Sequence, residues 1–111
     1  MKDTQVFLAV LAREFPRVGL MQLQHQAAKI LRNAKTHARK SCDYCNGDIN
    51  SSEDWEKIIT PIRNRITAAY KELGGENIVF GGDPRGATVK LVLPSGTCND
   101  WGKEGWCVPN S

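Results

Sequence analysis

The run Gly81-Gly82-Asp83-Pro84-Arg85-Gly86 constrains this chain more than any other, because it lies between two β-rich stretches and leaves room only for a turn. Asp at the first position, Pro at the second and Gly at the fourth fit a type I turn, where proline's fixed φ suits the second residue and aspartate bonds the local backbone. A hairpin follows from Asn77-Ile78-Val79-Phe80 and Ala87 to Leu93, with Arg85 at its tip. Alternation then puts Ile78 and Phe80 on one face with Val89, Leu91 and Leu93, available for helices to cover, and turns Thr88 and Lys90 outward. Pro94-Ser95-Gly96 makes the next turn. Thr97 to Trp101 and Trp106 to Val108 have the makings of one or two short edge strands.

The rest of the chain has helical periodicity. Thr4 is the expected N-cap of a short first helix carrying Val6, Phe7, Val10 and Leu11, which stops at Phe15-Pro16 because proline disfavours helix in the residue before it. From Arg17 onward Leu20, Leu23, Ala27, Ile30, Leu31, Ala34 and Ala38 form one apolar stripe of a long helix, with Gln22, Gln26, Lys29, Asn33, Thr36 and Lys40 elsewhere on the wheel. Its small alanines suit close approach by another helix, either internal or from a second copy of the chain. Ser41 to Asp48, with Asn46-Gly47, is expected to be a loop. A third helix opens at Ser51 or Ser52, keeps Trp55, Ile59, Ile62, Ile66, Ala69, Tyr70 and Leu73 on one face, and ends at a left-handed Gly74. Pro61 inside it leaves the carbonyl of Lys57 without its donor, so a kink or a restart capped by Thr60 is expected. With 111 residues the chain is expected to form one domain over 1–111, helical over about 4–73 and β over about 76–109. The fold class is therefore α+β, with N-terminal helices, one of them long, amphipathic and basic, packed on a small C-terminal antiparallel sheet. No run approaches the roughly 18 apolar residues of a membrane helix, and a soluble cytoplasmic protein is expected.

The net charge of +3 conceals an uneven distribution: residues 1–40 hold eight Lys or Arg against Asp3 and Glu14, whereas 43–56 hold five acids and no base. The basic face offers Lys29, Arg32, Arg39 and Lys40 to phosphate or to an acidic groove, and Arg85 adds a cation at the hairpin tip. Backbone amides of the glycine-rich turn suit an anion, but the lysine and following helix of a P-loop are missing. Trp101 and Trp106 flank a Gly-Lys-Glu-Gly turn and can stack on a partner or cover the core. Cys42 and Cys45 form a C-x-x-C pair that His37 could extend toward zinc, yet a second close-spaced pair is absent, since Cys98 and Cys107 lie too far apart, and no cofactor is expected. Neither His25 nor His37 has triad partners at motif spacing, Asp83 with Glu104 has only residue type in its favour, and no catalytic residue is assigned. The chain is expected not to be an enzyme.

Ala34 to Lys40 running into Cys45-Asn46, the acidic start of the third helix, Gly82-Asp83-Pro84-Arg85-Gly86, Leu93-Pro94-Ser95-Gly96, Asn99, Trp101-Gly102 and Gly105-Trp106 together resemble, in order, a group of small proteins of unknown function encoded by bacteriophages and prophages. The resemblance covers about the C-terminal two thirds, and Cys42, Cys98 and Cys107 stand outside it. It implies a phage setting, in a host bacterial cytoplasm, and a compact α+β domain, without a mechanism. The expectation is a non-enzymatic accessory protein that binds and modulates or inhibits a host protein or nucleoprotein complex handling nucleic acid or defence, an anti-CRISPR-like or other anti-defence role. Two alternatives stand beside it: direct nucleic-acid binding, and binding of a phosphorylated small molecule such as a nucleotide signal in the Gly81–Gly86 loop. A homodimer through the long helix is a further expectation.

Overall fold

The computed structural model describes residues 3–45, 51–83, 86–96 and 98–101. Its elements run α1 (Asp3–Glu14), α2 (Leu20–Cys45), α3 (Ser52–Glu72), β1 (Asn77–Asp83), β2 (Gly86–Val92) and β3 (Cys98–Trp101). This is the α+β arrangement expected: α2 packs on α3 and on β2, α1 packs on α2, and the strands form one antiparallel sheet ordered β1-β2-β3.

The hairpin register pairs Ile78 with Leu91 and Phe80 with Val89, as the alternation requires. Val89, Leu91 and Leu93 are buried, and Val79 on the opposite face is half exposed. Lys90 lies opposite Val79 on the face away from the helices, as expected, and is half-buried there because β2 is the central strand, flanked on both sides. The pairing of Asp83 with Gly86 leaves two residues at the tip, Pro84 and Arg85, which lie outside the described residues, as does the side chain of Thr88. The turn after β2 closes with Gly96 N–H donating to the Leu93 carbonyl at 2.8 Å, and Gly96 takes φ +90°. β3 is the edge strand expected over Thr97 to Trp101, and the second expected segment, Trp106 to Val108, lies outside the described residues.

In α1 the buried positions are Phe7 and Leu11, continued by Phe15, a spacing of four that holds one narrow stripe; Val6 turns to solvent. Thr4 is not the cap, because the helix already includes Asp3. In α2 the stripe Leu23, Ala27, Ile30, Leu31, Ala34 and Ala38 is buried, while Leu20 at the first turn lies 60 % exposed, beyond the reach of the core. The expected loop is helix over 41–45, and its remainder, 46–48, lies outside the described residues.

Ser51 caps α3, its hydroxyl accepting from Asp54 N–H at 3.1 Å, and Glu53 and Asp54 occupy the first turn. The helix passes Pro61 without restarting at Thr60; Pro61 is exposed, so water can take up the carbonyl it leaves bare. Gly74 ends the helix at φ +100°, a region that glycine enters without steric cost. Gly75 is confined differently: a Cβ there would strike the Tyr70 ring. Tyr70 itself is buried, meets Phe15 edge to face at 5.9 Å, and donates its hydroxyl to the Val92 carbonyl at 2.7 Å. One hydrophobic cluster thus draws on all three helices and on β2, with Ile78 and Phe80 of β1 against it.

A polar seam runs along α2 and α3. Gln26 donates to the Glu72 carboxylate, Asn33 accepts from Arg65 Nε at 3.1 Å while donating to the Lys29 carbonyl at 2.8 Å, and His37 Nε2 accepts from Arg63 Nε at 3.4 Å. Gln26 and Asn33 lie off the apolar stripe of the wheel, yet both are buried, because α3 supplies partners for their amides.

Candidate functional site: the basic face of α2

The buried arc of α2 fixes what its opposite side presents. Arg32, Lys35 and Arg39 fall on that outer side, all exposed, with Thr36 half-buried beside them. Arg32 and Arg39 lie two turns apart, about 10 Å along the axis. With Ala28, Leu31, Lys35 and Thr36 they line a shallow groove of about 360 Å³. Ala28 keeps the floor low, and Thr36 turns its hydroxyl back to the Arg32 carbonyl at 2.9 Å. Asp43 is the first acid on the helix, so Lys29 to Lys40 carry their cations ahead of any carboxylate of α2. Among the described residues neither Arg32 nor Arg39 makes an ion pair, unlike Arg13, Lys57 and Arg63.

Lys29 and Lys40 sit on the shoulder of this face, half-buried, rather than at its centre. Lys35, which the residue pattern did not single out, lies nearer the middle; its signal was the spacing 32, 35, 39, which holds one helical face. Arg85 and Trp106 lie outside the described residues. Trp101 is placed by its backbone opposite Val89 at the end of β3. The basic groove is therefore assembled from α2 alone.

His37 lies on a different side and does different work. It is fully buried, its ring 5.7 Å from that of Phe80, and the Arg63 guanidinium stands 5.4 Å from both the Phe80 and Trp55 rings while reaching Glu56 at 4.0 Å. Burial, reinforced by the Arg63 charge, holds its pKa down to about 4. Packing against α3 and β1 encloses the ring, so it does not stand on the solvated side of α2. Cys42 and Cys45 occupy the last turn of α2, and their side chains lie outside those described. Among the described residues no group of three His, Cys, Asp or Glu side chains converges on a metal-sized site.

A second depression of about 460 Å³ lies between Gly74–Asn77 and Val92–Pro94, lined largely by backbone and by Glu76, a poor match for an anion. Among the described residues no helix is long and apolar enough to cross a membrane. Guanidinium groups presented in a row can each take two oxygens of a phosphate or carboxylate, so the α2 face is suited to a repeating anionic surface. Comparison of the chain with family models, with curated proteins and with solved structures found no significant match.

Proposed function

We propose that this protein is a non-enzymatic binding protein that grips a phosphate-bearing or acidic surface of a host nucleic-acid-handling or defence complex through the basic face of α2. The observation that carries the reading is the exposed row Arg32, Lys35 and Arg39, lining a groove on a helix face without acids. Arg32 and Arg39 have no ion pair among the described residues, so their charge is available at little desolvation cost. The phage setting rests on the resemblance carried by motifs such as Gly82–Gly86 and Leu93–Gly96, and the anti-defence role rests on that setting.

Titrating labelled duplex and single-stranded oligonucleotides at several salt concentrations tests the direct form. Three phosphate contacts give a slope of about −3 in log K against log salt, and Arg32→Ala with Arg39→Ala removes about two of it. Capture of a host complex by the wild-type chain, lost in the same double variant and without affinity for free nucleic acid, supports a protein partner. Unchanged binding by the folded double variant in both assays overturns the reading.

A further inference from the structure

Among the described residues β1 is an outer strand of a sheet ordered β1-β2-β3. Antiparallel pairing consumes the N–H and C=O groups of alternate residues, and those between direct theirs away from the partner. Among the described residues no backbone hydrogen bond beyond the β2 ladder reaches Asn77–Asp83. Soluble proteins usually blunt such an edge with lysine, proline or a bulge. β1 has none of them: seven residues pair one to one with β2 from Asn77 to Asp83, and Val79 stands 51 % exposed on the face away from the helices. The helix layer rests on β2 through α2, inboard of this edge.

We propose that β1 pairs antiparallel with β1 of a second copy of this chain, about a two-fold axis at Phe80, joining two three-stranded sheets into one. The choice of a second copy over a foreign strand comes from the sequence of β1, which complements itself about its centre. With Phe80 opposite its own counterpart, Val79 lies opposite the partner's Gly81 and Ile78 opposite the partner's Gly82. Each branched side chain then covers a bare glycine, the pairing that repairs glycine in strands. Asn77 falls opposite the partner's Asp83 at both ends. Every pair keeps its residues on the same face of the sheet, as strand parity demands. Phe80 at the centre pairs all seven residues of β1 across the axis, and any other centre pairs fewer. The interface is isologous, so it closes at two copies.

Sedimentation equilibrium of the full chain between about 10 µM and 1 mM tests it, since a dimer must grow in by mass action. The expected mass rises toward twice the 12.3 kDa of one chain. Val79→Lys, at an exposed position, brings two ammonium groups together on one face and weakens association at least about tenfold. Met21→Lys, at a residue 84 % exposed on α2, leaves it unchanged. In a mixed sample of labelled and unlabelled chains, an intermolecular NOE joins Val79 to Gly81, which decides the register on the wild-type protein even if the lysine variant fails to fold. A single-chain mass throughout, a dimer without that NOE, or one broken by Met21→Lys and spared by Val79→Lys overturns the proposal.

Discussion

A histidine with no exposed surface at a helix seam must stay neutral, because a charge there has no water and faces a guanidinium. His37 fits this description: Arg63 lies on its Nε2 at 3.4 Å, so the ring proton belongs on Nδ1, an atom with no partner among the described residues. The folded chain resists protonating His37 until about pH 4, whereas the unfolded chain takes the proton near 6.5. Between those values the unfolded state binds more protons, so this contribution is complete above about pH 6.5 and is lost as the pH falls toward 4. Its size is on the order of 3 kcal/mol. Glutamine can accept from Arg63 without titrating, so His37→Gln is expected to lose less stability than wild type between pH 7 and 4.5. Urea unfolding at the two pH values measures this, and equal losses in both proteins would remove His37 as the cause.

At the scale of elements, α2 and α3 are held in register by polar contacts as well as by their apolar faces. The apolar stripe of α3, its Ser51 cap, its Gly74 stop and the face shared by Ile78, Phe80, Val89 and Leu91 were all legible in the sequence, because each follows from a period or a cap within a few residues. Gln26, Asn33 and His37 were not. Their burial depends on Glu72, Arg65 and Arg63, which lie 46, 32 and 26 residues away, and nothing local to α2 announces those partners. The same limit applied to the basic face: its charge was readable, but the central place of Lys35 required knowing which arc of α2 the core occupies. A double-mutant cycle on Asn33→Ala and Arg65→Ala is expected to give a coupling of about 0.5–1.5 kcal/mol, since both side chains lose a partner in either single variant. Additive losses would mean that the Asn33–Arg65 contact does not help to register the two helices.

Across the whole molecule, three separate parts of the chain meet at Tyr70. Phe15 from the end of α1 abuts its ring, Gly75 must be bare to pass it, and its hydroxyl ties α3 to the last residue of β2. Glu14, one residue before Phe15, adds to the link by accepting from the Ser95 N–H at 3.0 Å in the turn after β2. Burial, with the Glu14 charge behind it, pushes the Tyr70 pKa up to about 12. The folded state therefore keeps the phenol neutral while the unfolded state ionises near 10, so stability from this group is complete below about pH 10 and drains away as the pH rises to about 12. Tyr70→Phe is expected to cost about 1 kcal/mol at pH 7, the value of a hydrogen bond whose carbonyl acceptor is left behind, and to flatten the alkaline loss. Gly75→Ala, which forces the ring to shift instead of removing an atom, should cost more, about 1–3 kcal/mol. If both variants unfold at the wild-type urea midpoint at pH 7, Tyr70 is not what fastens the sheet to the helices, and the apolar cluster shared by the helices and β2 carries that attachment.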